Sequence, residues 1–340
     1  MKDSGIIADS KLNTVNLGGG KKLKYSIITP VYNREDCIGR CLKSVADNLK
    51  WCNAFEHIVV DDGSIDNTPQ IVEQFASKHT HIKFIKFEHN RGTNAARNAA
   101  IAMATGEFCI ILDSDDRFVP NALKIIEDVV NNNNFIHYLF TSDDLKPSHD
   151  ANYLLKNHYQ RVVSFVDFLS GCLNVGFIHV IKTTTMKAHP FDEQLRIHEG
   201  VFFLTFFKEA QNLLYTKEIV TIRERGRNDS VTYGSIRTSK EIILRKIIVD
   251  ELNLKLFLND YITYGLLHEL NKIYLELVDN NLLLSRYKDS KRYMSALAKC
   301  NGKNPLFQHV VYCLRLGFVY HILLRIYLFI KYNILKKRLR

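Results

Sequence analysis

At 340 residues and 46% hydrophobic content, the chain can bury one large core or two, so it needs neither disulfides nor a structural metal to hold it together. Its seven cysteines, Cys37, Cys41, Cys52, Cys109, Cys172, Cys300 and Cys313, form no CxxC pair and match no histidine spacing; this argues against a zinc site or disulfide framework and fits a reducing compartment. The formal net charge of +10, carried in part by Lys21, Lys22 and Lys24 and by the tail residues Lys336, Lys337, Arg338 and Arg340, favours anionic partners.

Residues 1–22 end in Gly18, Gly19, Gly20, Lys21 and Lys22, lack hydrophobic periodicity and read as a flexible leader. They contain no sustained apolar run of the signal-peptide kind, so export is not expected. From Tyr25 onward, short apolar runs predict strands: YSIIT at 25–29, HIVV at 57–60, IKFIKF at 82–87 and FCIIL at 108–112. Between them, amphipathic spacing predicts helices over 35–49, 68–78 and 93–105. Strand and helix in alternation imply right-handed crossovers and an α/β fold, Rossmann-like, with a mostly parallel central sheet flanked by helices. Apolar segments at 177–181 and 213–222 predict two later strands with a helix at 201–210 between them. From 236 the chain reads as helical, over 242–258, 261–278 and 287–299, and closes in an apolar, basic segment over 306–340.

In an open sheet of this kind, ligands bind beyond the carboxyl ends of the strands. Those ends here carry Pro30, Tyr32 and Asn33 after the first run, Asp61, Asp62 and Ser64 after the second, and Asp113, Ser114, Asp115 and Asp116 after the fourth. Two carboxylates at i and i+2 suit a hard divalent cation that also bridges a diphosphate, although an Asp-rich turn also serves as a solvated turn or helix cap. Asp61 and Asp62 suit a ribose or nucleobase, or else a plain strand-to-helix turn relieved by Gly63. In HNRGTNAARNAA (89–100), small residues allow close helix-to-sheet packing, and Arg97 is placed to meet a phosphate or to order the acidic cluster.

In this order, SIITPVYN, VVDDGS, NRGTNAARNAA and FCIILDSDD resemble the family 2 glycosyltransferases, strongly over residues 25–120 and more thinly to about 235. The resemblance implies a GT-A fold, an inverting transfer of sugar from a nucleotide-diphosphate donor, a UDP-sugar by expectation, and a Mn2+ or Mg2+ cofactor. It implies that Pro30, Tyr32, Asn33, Asp61 and Asp62 surround the nucleoside, with Arg97 and Ser114 also on the donor side. Asp113 and Asp115 correspond to the family's DxD pair at the ribose and the metal-bound diphosphate.

The family's base segment, Glu-Asp before an aromatic, apolar helix, is altered here to FDEQLRIHEGVFFLTFF. Registered on Phe202 and Phe203, it makes Glu199 the candidate base and His198 a possible substitute. A loop IRERGRNDSVT resembles the family's Arg-x-His-x-x-Ser segment that folds over the donor, with Arg225, Arg227 and Ser230 on its positions and arginine where histidine is usual.

These readings divide the chain into the leader (1–22), a GT-A catalytic domain (23–235), a helical extension (236–305) and a basic apolar helix (306–340). Arg315, His321, Arg325 and Lys331 interrupt the last segment, which makes a membrane span costly and an interfacial helix preferable; packing on protein is the competing reading. The expected setting is the cytoplasmic, inner face of the cell membrane. The expected acceptor is lipid-linked or a surface polysaccharide, and homo-oligomerisation is possible. No nucleic-acid partner is expected, because the basic residues lack aromatic interleaving in any recognised motif. A nucleotidyltransferase lacks support for want of a Gly-rich, lysine-bearing phosphate loop. The alternative outside catalysis is a nucleotide-sugar-binding scaffold subunit.

Overall fold

The computed structural model describes residues 23–195, 199–224, 239–300 and 306–329. Its first half alternates as expected: β1 (Tyr25–Val31), α1 (Ile38–Asp47), β2 (Phe55–Asp61), α2 (Thr68–Ala76), β3 (Ile82–Lys86), α3 (Thr93–Met103) and β4 (Phe108–Ile111). β1 lies between β2 and β4, parallel to both, and β3 extends β2 in parallel. Every residue of β1 and β2 is buried, which is why these strands read as continuous apolar runs: helices cover both faces of the sheet. Ala95, Ala96 and Ala100 present almost no side chain to the sheet, so α3 settles closely against it.

Beyond β4 follow β5 (Arg117–Phe118), α4 (Ala122–Asn131), β6 (His137–Ser142), α5 (Lys146–Ala151), β7 (Gln160–Ser164), α6 (Phe165–Leu169), β8 (Ile178–Lys182), α7 (Thr183–Ala188), α8 (Gly200–Ala210) and β9 (Asn212–Ile222). β8, α8 and β9 meet the expectations at 177–181, 201–210 and 213–222. β6 and β7 are strands that periodicity did not predict. The nine-stranded sheet runs β3-β2-β1-β4-β8-β6-β9-β5, with β7 against β9. It is mixed: β8 is antiparallel to β4 and β6, and β5 and β7 are antiparallel to β9, while β6 and β9 are parallel. The wholly parallel part is thus the half built from β1 to β4, and it gathers the carboxyl ends of β1, β2 and β4 at one edge.

Two apolar clusters, one on each face, hold the layers. One joins β1 and β2 to α1, α2 and α4 through Ile38, Leu42, Val45, Val72, Leu123 and Ile126. The other runs from Ala96 and Ala100 under α3, through Phe165, Phe202, Phe206 and Phe207, and continues into the C-terminal helices. Those helices are α9 (Lys240–Thr263), α10 (Leu267–Leu283), α11 (Tyr287–Lys299), α12 (Leu306–Cys313) and α13 (Gly317–Phe329). Because Phe257, Tyr261, Leu270, Leu277 and Leu297 belong to the same cluster as α8, the extension shares the core of the sheet domain.

Two boundaries differ from the sequence reading. Tyr261, expected to open a helix, lies inside α9 and is buried; the turn comes at Gly265, whose φ of 67° suits glycine. The described part of the 306–340 segment is two helices, not one. The chain breaks at Arg315, held in left-handed backbone at φ 56°, with its guanidinium 4.4 Å from the Tyr287 ring centre and 5.2 Å from that of Tyr312. No helix among the described residues is long and apolar enough to cross a membrane.

Candidate active site

At the end of β2, two adjacent aspartates have separate roles. Asp62 accepts from Arg91 N at 2.7 Å, Gly92 N at 2.8 Å and Asn90 Nδ2 at 2.9 Å, so both carboxylate oxygens clamp the loop that enters α3. Asp62 is therefore a loop anchor. Gly92 sits at φ 101°, a backbone conformation that suits glycine, and at Gly63 a Cβ would lie 2.5 Å from the His89 carbonyl carbon, so the close approach of the two loops requires glycine there. Asp61 is bonded only locally, to the Ser64 N–H at 3.2 Å and the Ser64 hydroxyl. Burial pushes its pKa up, and the Ser64 bonds pull it partly back. Ser64 also accepts from Asn33 N at 2.8 Å, and Asn33 Oδ1 accepts from Ile65 N at 2.9 Å, which ties the ends of β1 and β2 together. Asn33 takes φ 49°, Pro30 is a buried β1 position opposite Val60, and Tyr32 is exposed beside them.

Two strands away, the LDSDD turn follows β4. Here Arg97, a buried guanidinium on α3, reaches two carboxylates from different parts of the chain. Its Nη2 lies 3.2 Å from Asp113 Oδ1 and its Nη1 donates to Glu199 Oε2. Burial opposes the charge on Arg97, and Glu199 and Asp113 more than offset it, so its pKa is raised. Glu199 occupies the N-cap position of α8, yet its side chain makes no cap bond; it turns to Arg97 instead. Both carboxylates are about two-fifths exposed, at 43% and 40%, while the arginine side chain is 6% exposed: the cation is structural and its anions face the solvent side.

These three residues line one cavity of about 410 Å³, together with Asp116, Thr221 and Arg223. Its far wall is aromatic: Phe168, Phe177, His179, Phe203 and Phe207. His179 stacks on Phe203 at 4.1 Å, and Phe168 stacks on Phe207 at 3.9 Å. Behind that wall His137 Nε2 meets His179 Nδ1 at 3.0 Å; burial drives His137 well below the usual imidazole range and His179 down to about 3, so the pair is neutral, one ring donating and the other accepting. Asp61, Asp62, Pro30, Tyr32 and Asn33 sit at the same sheet edge but outside this cavity's lining.

Sequence reasoning passed over Asp116 as a site residue. It is buried, with Oδ1 accepting from Glu224 N at 3.2 Å and Oδ2 3.3 Å from Arg223 Nε. It thereby joins the LDSDD turn to the end of β9, where the expected donor-covering loop departs. The signal was the third carboxylate of the run. His198, Arg225, Arg227 and Ser230 lie outside the described residues.

A divalent cation fits the chemistry of the turn in a limited way. Among the described residues no group of three or more His, Cys, Asp or Glu side chains converges, so the described part of the site could supply at most two such ligands, for which Asp113 and Asp115 are the candidates. That suits an ion held by one or two carboxylates, with the remaining positions left to water and phosphate oxygens.

The description "Glycosyl transferase family 2" matches residues 26–185, which include β1 to β4 and the LDSDD turn. These residues form a family 2 glycosyltransferase domain. The chain is 27% identical over 221 residues, 61% of its length and 48% of the relative's, to the minor teichoic acid biosynthesis protein GgaA of Bacillus subtilis. It is 26% identical over 242 residues to the GalNAc(5)-diNAcBac-PP-undecaprenol beta-1,3-glucosyltransferase of Campylobacter jejuni, covering 68% of this chain and 76% of that one. Over 103 residues it is 41% identical to the poly(ribitol-phosphate) beta-N-acetylglucosaminyltransferase TarS of Staphylococcus aureus, 18% of that protein. The chain thus spans about half of GgaA and a small part of TarS.

Among solved structures, S. aureus TarS 1–349 in complex with UDP-GlcNAc superposes with a TM-score of 0.55 at 20% identity, covering 83% of this chain and 93% of that one. A mannosyltransferase of Pyrobaculum calidifontis in complex with GDP-Man and Mn2+ superposes with a TM-score of 0.51 at 16% identity, covering 89% and 83%. The shared feature is the fold: the mixed open sheet flanked by helices is the GT-A arrangement that the family resemblance implied. Glu199 lies on α8, beyond the matched residues of the family 2 domain.

Proposed function

We propose that the chain is a metal-dependent, inverting glycosyltransferase that moves a sugar from a nucleoside diphosphate, UDP in the first instance, to a hydroxyl of a lipid-linked or surface-polysaccharide acceptor at the inner face of the cell membrane. The observation that carries this reading is Arg97 holding Asp113 and Glu199 at the mouth of one cavity. Asp113 stands on the donor side, at the edge it shares with Asp61 and Tyr32. Glu199 lines the same cavity as the aromatic wall, and in this reading the acceptor binds between them.

In the reaction, the acceptor oxygen attacks the anomeric carbon as its proton passes to the Glu199 carboxylate, and the bond from that carbon to the diphosphate oxygen breaks with its electron pair. When bound, a divalent cation held by Asp113 and Asp115 supplies charge neutralisation for the departing diphosphate. Asp61 receives ribose hydroxyls, Pro30, Tyr32 and Asn33 frame the base, and Ser114 lies in the turn between the two donor carboxylates. Arg97 fixes Glu199 relative to Asp113, so proton acceptor and leaving-group site are held at one spacing without cost at the moment of reaction. Arg225, Arg227 and Ser230 are proposed to close over the diphosphate, and His198 is the alternative proton acceptor.

The teichoic acid biosynthesis named for GgaA and the undecaprenol-linked compound named for the Campylobacter relative support the acceptor class. The UDP-GlcNAc complex of TarS supports a uridine donor. The test is a screen of UDP, GDP and dTDP sugars with Mn2+ or Mg2+, read by thermal shift and by released nucleotide. A shift and hydrolysis with one donor class support the proposal; neither with any donor would overturn it. A shift without turnover in the presence of acceptor would favour the scaffold-subunit reading.

A further inference from the structure

The helices α12 and α13 are apolar on the side that faces away from the protein. Their inner side is well anchored. Gln308 Nε2 donates to Asp279 Oδ1 at 2.9 Å, Val311 is buried, and Tyr320 and Leu324 pack on the core cluster. A Cβ at Gly317 would lie 2.1 Å from the Leu282 carbonyl oxygen, so α13 starts in direct contact with α10. With the inner side fixed at Gly317, Tyr320 and Leu324, the helical period turns 318, 319, 322, 323, 326 and 327 outward. Those positions are Phe, Val, Ile, Leu, Ile and Tyr, and every one is exposed, Phe318 at 69%. Leu306 at 79% and Leu314 at 62% extend the stripe across α12 and the turn. An apolar surface continuous over two helices is not left bare in a water-soluble monomer without a partner.

The charge of the chain names the partner. Residues 290–340 contain eleven Lys and Arg and no Asp or Glu, whereas the preceding 289 residues hold thirty-five Lys and Arg against thirty-six Asp and Glu. The whole net positive charge therefore belongs to the segment that carries the exposed stripe. A second copy docking on this face would bring two such cationic segments together, whereas an anionic bilayer complements both features at once.

We infer that α12 and α13 lie in the interface of a bilayer rich in anionic phospholipid, with the 318–327 stripe entering the headgroup boundary and the surrounding cations meeting lipid phosphates. The break at Arg315 lets both helices pack on α10 instead of running on as one rod. This inference does not depend on the transferase reading.

The full chain is tested by co-sedimentation with vesicles of phosphatidylcholine alone and of phosphatidylcholine with phosphatidylglycerol. Binding is expected to require phosphatidylglycerol and to weaken as salt is raised. The double variant Phe318→Ser, Leu323→Ser is expected to bind about tenfold more weakly, and neutralising Lys336, Lys337, Arg338 and Arg340 to Gln is expected to weaken binding about fivefold per charge. The Phe318→Ser, Leu323→Ser variant should keep the wild-type melting temperature and elution volume, because both side chains are exposed. Equal binding to neutral vesicles, no binding to either, or a wild-type oligomer that Phe318→Ser, Leu323→Ser dissolves would each overturn it.

Discussion

Arg97 Nη1 donates to Glu199 Oε2, across 102 positions of sequence, from a guanidinium almost wholly buried between α3 and the LDSDD turn. The same group reaches Asp113, so one cation sets the spacing between the proposed base and the proposed donor carboxylate. Arg97→Met is expected to lower kcat by about 100-fold or more, the scale of losing preorganised electrostatics. The cost in stability should be only about 1–2 kcal/mol, because both carboxylates can rehydrate at the cavity mouth. Arg97→Lys, which restores the charge without the fork, should recover part of the stability and little of kcat. Steady-state kinetics alongside chemical denaturation separates the two effects; an equal loss in both variants, tracking stability alone, would assign Arg97 to packing.

The adjacent aspartates of β2 should separate in the opposite sense. Asp62→Ala strands the donors of Asn90, Arg91 and Gly92 and is expected to destabilise the fold by about 3 kcal/mol, read as a lower melting temperature. Asp61→Ala removes only local bonds to Ser64 and should leave the melting temperature within a few degrees while weakening nucleotide binding. Melting curves with and without UDP decide between them.

Metal dependence is checked by chelation. Turnover is expected to vanish in EDTA and to return with Mn2+ or Mg2+, and Asp115→Ala should lose about 100-fold or more with the melting temperature of the free protein unchanged. Full activity in EDTA would remove the cation from the account.

Away from the site, Asp250 on α9 provides a pH signature. Burial, with Glu276 next, pushes its pKa up to about 7, and its Oδ2 has no hydrogen-bond partner among the described residues. A folded-state value above the unfolded one means that the folded chain holds an extra proton between about pH 4 and 7. The stabilisation from Asp250 is therefore complete below about pH 4 and is lost as pH rises through 7. Asp250→Asn is expected to flatten that decline and to raise the melting temperature by several degrees at about pH 8. An unchanged profile would show that the carboxyl is solvated.

Much of this arrangement was legible in the sequence because strand ends announce themselves. FCIIL running into LDSDD marks a buried strand that meets polar ligands, and HIVV running into Asp61 and Asp62 marks its neighbour. The division of labour between those two aspartates was not legible, since both sit at one turn and only the position of the 90–92 backbone distinguishes them. β6 was hidden because a fully buried strand carries His137, Thr141 and Ser142, polar residues that bond inside the protein: Thr141 Oγ1 with His149 Nδ1, Ser142 Oγ with Asp144 Oδ1, and His137 Nε2 with His179 Nδ1. The aromatic wall draws Phe168 from α6, Phe177 from the loop before β8 and Phe203 from α8, so no local pattern foretold it. The helix break at Arg315 was equally silent, because left-handed backbone at a non-glycine residue is stabilised by stacking on Tyr287 and Tyr312, a tertiary contact. Glu199 was found only through the family's aromatic helix; its pairing with Arg97 was not foreseen.

The most direct measurement is the turnover of Glu199→Gln with the identified donor and acceptor, set beside donor affinity by calorimetry. With Glu199 as proton acceptor, the variant binds donor as the wild type does, within about twofold, and its transfer rate falls by about 100-fold or more. Transfer at the wild-type rate would contradict the account, and the search for the base would move to His198.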